Sequence, residues 1–290
     1  MKKLFITSLF IPFLLQANQD KSSLLENMLI SKVNFDTTYL KNANISNSDG
    51  SVQITKNRLQ LNNSLIRVGY TNWKFDWDNV SSLPFGNNVS QPIEQMHSID
   101  LALTKSYRIS EKWFSLNSIF ANSTFEDNMS DSFAFGASSF ASYSINNDHS
   151  IGLGLFGKYH PVSSTVLPVA SYSYRANSKD GLQVMLGFPQ THVGYHVNPD
   201  TLLRLGFTFS NSLIRLSDSS TIEKKGYSEF QDYMTNIGIS YDINKKIKLM
   251  TDVLYTLKRD YTIYNKDGKE LSNYEIDPTT GIIFKIVFEL

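Results

Sequence analysis

The chain has 290 residues, 27 basic and 27 acidic side chains, 41% hydrophobic residues and no cysteine. Without cysteine there are no disulfides and no lipoprotein anchor, and the charge balance lacks the basic stripe that a nucleic-acid partner needs. After the first 17 residues no stretch is apolar enough to cross a bilayer as a helix, which takes about 20 residues, so any passage through a membrane is by strands.

At the N-terminus, Met1-Lys2-Lys3, the apolar run Leu4 to Leu15 and the small residue Ala17 have the three parts of a secretory signal peptide, with cleavage expected near Ala17. Loss of residues 1–17 would leave 25 basic against 27 acidic side chains. Residues 18–31 are expected to form a periplasmic N-terminal segment, with 18–29 able to fold into a lumen as a plug. Residues 32–290 are expected to form the barrel described next.

From residue 32 onward the dominant period is two. Ile99, Leu101 and Leu103 alternate with Asp100, Ala102 and Thr104; Leu203, Leu205, Phe207 and Phe209 alternate with Arg204, Gly206 and Thr208. This is the pattern of strands with one apolar and one polar face, and no helical period competes with it. It predicts strands at 32–43, 51–61, 65–77, 94–108, 111–125, 132–146 and 149–160. It continues with 166–178, 181–188, 191–198, 201–212, 228–243, 246–263 and 280–290. Short turns at 109–111, 146–148, 178–181, 198–200 and 244–246 alternate with long polar connections at 78–93, 211–228 and 265–280. Short turns at one end and long loops at the other are expected of a bacterial outer-membrane barrel.

The count depends on Asn62-Asn63, where the apolar parity switches from Leu59 and Leu61 to Ile66, Val68 and Tyr70. A tight turn there makes fourteen strands, and a bulge makes twelve. Pro168 and Pro189 are expected at strand ends near a rim, because proline cannot donate to a ladder. The chain ends G-I-I-F-K-I-V-F-E-L, with Ile282, Phe284, Ile286, Phe288 and Leu290 on one face. Phe284, Ile286, Phe288 and Leu290 are the expected assembly signal, read by the barrel-assembly machinery.

No HExxH, GxSxG or Walker glycine loop is present. His192 and His196 are four residues apart, about 13 Å along a strand, too far to share one metal ion. They are expected to line the lumen with Asp100, Lys158, Arg204, Asp242, Lys248, Asp252 and Lys285. That set carries both signs, so cross-strand pairing along the wall is expected, with no single-sign ring. Trp73, Trp77, Trp113, Tyr143, Tyr172, Tyr174, Tyr241 and Tyr255 are expected in interfacial girdles. No catalytic residue, metal or cofactor is implied, and the protein is not expected to be an enzyme.

The stretch from Leu167-Pro168 through Tyr174-Arg175, Gly187-Phe188-Pro189, Tyr195 and Asn198 to Leu205-Gly206-Phe207 resembles an uncharacterised family of bacterial outer-membrane β-barrel proteins, known only as a domain of unknown function. The resemblance implies a barrel and outer-membrane residence, and supplies no substrate. The expectation is an all-β, closed antiparallel transmembrane β-barrel of 12–14 strands in a Gram-negative outer membrane, porin-like, acting as a passive channel or small-solute transporter. A closed surface barrel acting through its extracellular loops is the alternative, and a lipid-modifying enzyme a third. The expected partners are outer-membrane lipid and lipopolysaccharide, the latter through Lys224-Lys225.

Overall fold

The computed structural model describes residues 30–290; the expected signal peptide and all but the last two residues of the N-terminal segment lie outside that range. The first strands are β1 (Lys32–Asn44), β2 (Ser51–Asn62), β3 (Ile66–Asp78), β4 (Gln95–Arg108) and β5 (Trp113–Phe125). Then come β6 (Phe133–Ser144), β7 (His149–Tyr159), β8 (Thr165–Tyr174), β9 (Gly181–Gly187) and β10 (Gln190–Asn198). The last are β11 (Thr201–Arg215), β12 (Tyr227–Asn244), β13 (Ile247–Tyr264), β14 (Glu270–Ile276) and β15 (Thr280–Glu289). Each strand from β1 to β13 pairs antiparallel with its chain neighbour, and β15 pairs with both β13 and β1, which closes the ring.

The ring has fourteen wall positions. β14 and β15 lie end to end on the same partner, β14 on Arg259–Tyr264 and β15 on Ile247–Tyr255 of β13. Between them Thr279 holds the junction: its backbone N–H donates to Thr256 Oγ1 at 2.6 Å and its carbonyl accepts from the Thr256 N–H at 2.8 Å. Half of the expected loop at 265–280 is therefore strand. The sequence Glu-Leu-Ser-Asn-Tyr-Glu-Ile has a weak period of two because this stretch rises above the lipid belt and carries water on one side. Asn62-Asn63 forms the tight turn: Asn63 Oδ1 accepts from the N–H groups of Leu65 (2.8 Å) and Ile66 (2.6 Å), and Asn62 pairs with Arg67.

The outside carries a continuous apolar belt. Phe35, Leu59, Val68, Ile99, Leu101, Ile119, Phe135, Leu153, Leu203, Ile237, Val253 and Ile282 all face outward and are exposed. An apolar outer surface around a polar interior is stable only with lipid outside.

Above the belt, at the loop end, the pattern inverts. Along β3 the apolar side chains Val68 and Tyr70 point outward, but Trp73, Phe75 and Trp77 point inward and are buried, while Lys74 and Asp76 point out. On β13 the change is made by a bulge: Tyr233 pairs with Lys258 and Met234 with Thr256, so Leu257 is extra. One extra residue exchanges the faces. Val253 and Tyr255 therefore meet lipid, whereas Tyr261 and Ile263 turn into the barrel. Trp73 and Trp77 are core residues and not part of an interfacial girdle, unlike Trp113 and Tyr241, which are exposed.

The inverted region builds a lid. The tips of β11, β12 and β13 lean into the mouth until Arg215 pairs with Phe125 of β5, six places away round the ring. One face of this lid presents Ile214, Leu216, Phe230, Tyr261 and Ile263 to Trp73, Phe75 and Trp77, with Leu83, Phe85 and Ile93 from the 79–94 connection. That connection is thus no solvated loop. Trp77 Nε1 donates to the Ile93 carbonyl at 2.8 Å, and Gln91 bonds both backbone groups of Trp77 at 2.9 Å. Behind the lid the wall is low: β8 pairs with β9 only over Ser171–Tyr174, and the β9–β10 hairpin turns at Phe188-Pro189. Pro189 sits at that rim, and Pro168 lies three residues inside β8, above the part β9 covers.

Candidate functional site: a cationic chamber under the lid

The alternation that sends Leu59 and Leu61 to lipid sends Lys56, Arg58 and Gln60 of β2 inward, and on β3 it sends Arg67, Gly69 and Thr71 inward. Asp100 of β4 lies beside Gly69 in register, and its carboxylate occupies the space that a Cβ on Gly69 would fill. There it lies 3.6 Å from Arg58 and 3.5 Å from Arg67. Lys158 enters from β7, and the Lys56 ammonium sits over the Trp73 ring, 4.5 Å from its centroid, within cation–π range.

Lys56, Arg58, Arg67, Thr71, Trp73, Asp100 and Lys158 line a cavity of about 110 Å³. Lys56, Arg58, Arg67 and Lys158 supply positive charge against Asp100 alone. Trp73 and the β11 tip residues Ser212 and Leu213 close it toward the lid, and Phe120, stacked 5.5 Å from Phe156, bounds it on the β5–β7 side. The chamber thus lies where the polar interior of the belt meets the apolar core of the lid.

Of the lumen-lining residues expected from sequence, Asp100 and Lys158 lie in this chamber and the others lie outside it. Arg204 and Asp252 form an ion pair at 2.7 Å, and Asn236 Nδ2 donates to the same carboxylate at 2.8 Å. Asp242 accepts from Lys248 and Lys179, each at 3.1 Å, at the end of the barrel that holds both described termini. Lys285 stands opposite Asp36 across the β1–β15 seam. His192 and His196 share the inward parity of Arg204 on the neighbouring strand, beside Gly206 and Leu202. Phe284, Ile286, Phe288 and Leu290 hold the outer face of the closing strand, and the Leu290 N–H donates to the Ser31 carbonyl at 2.9 Å.

The even mixture of sign expected along the lumen therefore does not hold in the chamber. The missed residues are Lys56, Arg58 and Arg67. Their signal was in the chain: each is one position out of phase with an apolar neighbour that faces lipid, Leu59 or Val68. The parity switch at Asn62-Asn63 hid the fact that even positions of β2 and odd positions of β3 share the interior.

Two titratable groups outside the spanning segments tie the lid to the far wall. Glu126, just past β5, accepts from the Ser217 N–H at 2.7 Å, and burial raises its carboxyl above the usual range despite that bond. His160, just past β7, is buried with Nδ1 accepting from the Val162 N–H at 3.1 Å and its ring edge-on to Tyr227. Burial, with Lys158 adding to it, lowers its pKa to about 3.

Residues 51–285 match the family model described as a domain of unknown function, DUF6268. The chain belongs to this family. The DUF6268 match runs from the first residue of β2 into β15 and so includes the chamber, the lid and the low wall. No curated protein sequence matches the chain. Among solved structures, this DUF6268 barrel is similar to a KdgM porin in complex with disordered oligogalacturonate, with 8% identity, a TM-score of 0.38, and 89% of this chain and 99% of that chain covered. It is similar to the Ralstonia pickettii toluene transporter TbuX, with 9% identity, a TM-score of 0.39, and coverage of 91% and 90%. It is also similar to the COG4313 outer membrane channel from Pseudomonas putida F1, with 10% identity, a TM-score of 0.41, and coverage of 93% and 100%. None of these likenesses bears on the cargo of the present chain.

Proposed function

We propose that the protein is a passive channel or small-solute transporter of the bacterial outer membrane, without enzymatic activity, and that the described conformation is shut at the loop end. The observation that carries this reading is the charged, polar chamber enclosed by a wall whose outside is an apolar belt. Burying ionised side chains costs free energy that apolar replacements would avoid. A barrel with only a structural role gains nothing from Lys56 and Lys158 in its lumen. The barrier is apolar packing, which yields to motion of the β11–β13 tips without breaking the wall below.

In this reading the signal peptide exports the chain, the assembly machinery recognises Gly281 to Leu290, and Lys224-Lys225 meets lipopolysaccharide phosphates. The apolar core across the mouth favours one other reading, a closed surface barrel that acts through its loops. Single-channel recording of the refolded protein in a planar bilayer separates the two. Discrete conductance steps, including brief openings from a mostly shut state, support the channel. Silence from a folded, heat-modifiable barrel under voltage and across salt gradients refutes it.

A further inference from the structure

We propose that the chamber under the lid is a binding site for a single anionic group, a carboxylate or phosphate, of a small solute. The inference deepens the channel reading and rests on it for the route by which the solute arrives.

The first argument is sign. Four cations line the cavity and one carboxylate opposes them. The second is that the carboxylates nearest the chamber already face other groups. Asp100 lies between Arg58 and Arg67. Asp232 holds Arg259 at 2.8 Å. Glu229 accepts from Asn211 Nδ2 and the Tyr264 hydroxyl, each at 2.7 Å. Asp36 stands in register between Lys285 on one side and Arg58 on the other.

Lys56 and Lys158 are consequently left, among the described residues, with no carboxylate oxygen within 4.0 Å. They come from β2 and β7, five places apart in the ring, and reach the same cavity. Two ammonium groups withdrawn from bulk water toward a common space, with no carboxylate in contact with either, are a costly arrangement. An anion between them offsets that cost with charge-assisted hydrogen bonds.

The third argument is the remaining lining. Thr71, Ser98, Asn122 and Thr124 add hydroxyl and amide donors. Ser98 and Thr124 bond each other at 3.0 Å, which uses one of their two hydroxyl protons and leaves the other to give. The fourth is size: about 110 Å³ has room for a carboxylate or phosphate group together with several waters, one water needing about 10–15 Å³ of such space. The site therefore takes the charged end of a solute.

The test is isothermal titration calorimetry on the detergent-folded barrel at constant ionic strength. The probes are succinate and inorganic phosphate, with erythritol and choline as neutral and cationic controls. Saturable binding of succinate, phosphate or both, with none of the controls, is expected; which anion binds assigns the group. Lys56→Gln and Lys158→Gln should each weaken binding by about tenfold or more, as loss of one charge-assisted bond does. Retained heat-modifiability shows that the variants are folded. The proposal is overturned if neither anion gives saturable heat with the wild-type barrel, or if the folded double variant binds as tightly as wild type. Conductance is measured on the same preparation. A barrel that binds anions but never conducts refutes the channel reading and leaves the site standing; one that conducts but binds neither anion refutes the site alone.

Discussion

Replacing Phe230 by alanine should unlatch the lid while leaving the wall intact. Phe230 is 1% exposed and lies at the centre of the contact between the lid and β3, with ring centroids 5.3 Å from Phe75 and 4.5 Å from Tyr261. Truncating a buried phenylalanine costs about 3–5 kcal/mol in lost transfer energy and cavity formation. Because Phe230 sits above the lipid belt, that cost falls on the shut state, and the ladders of β12 below it are untouched. Tyr261 moves with the lid, so only the contacts with β3 count; taking about half the cost, about 2 kcal/mol, as the differential, the ratio of open to shut states rises more than tenfold, since each 1.4 kcal/mol is tenfold. The assay is open probability in planar bilayers for wild type and Phe230→Ala, with heat-modifiable migration as the check that both barrels are closed rings. A correctly folded variant with wild-type open probability would refute the assignment of the lid as the barrier.

Three further outcomes follow from the same geometry. Asp232→Ala strands the guanidinium of Arg259, whose side chain is 0% exposed and 2.8 Å from the Asp232 carboxylate. The expected loss is about 3–5 kcal/mol, and the pair Asp232→Leu with Arg259→Met should recover most of it in a denaturant titration. His160 is neutral in the folded state and its pKa is depressed from 6.5 to about 3. Its contribution is complete above the unfolded pKa and is lost as pH falls through the window between the two values. By linkage, folding should lose about 2 kcal/mol between pH 8 and pH 5, and His160→Asn should flatten that part of the pH profile; an unchanged profile would refute the assignment. Finally, Phe284→Ser with Phe288→Ser puts hydroxyls on the lipid face of the closing strand, and the amount of heat-modifiable barrel recovered from membranes should fall severalfold, whereas Glu289→Gln should leave it unchanged.

Much of the wall was legible in the chain. Thirteen of the fifteen strands, β1 to β13, fall where the period of two places them, because a half-lipid, half-water environment forces apolar and polar residues to alternate. β15 was legible for the same reason. The parity switch at Asn62-Asn63 marked a turn, since a residue slip reverses both faces and a short turn at an asparagine pair costs less. β14 escaped because above the belt its outer face meets water and carries Asn273 and Glu275, so the stretch has the polarity of a loop.

Local period and solvent thus suffice to dictate a closed barrel and the direction of most of its side chains. They do not reveal which interior residues meet. Lys56, Arg58, Arg67, Asp100 and Lys158 come from β2, β3, β4 and β7, and only ring closure and inward bending of the β11–β13 tips bring them round one cavity. The lid was likewise a tertiary decision. Trp73, Phe75 and Trp77 on one strand and Phe230 and Tyr261 on two others are apolar positions that would suit either lipid or core. Their height above the belt, together with the bulge at Leu257, decides for core.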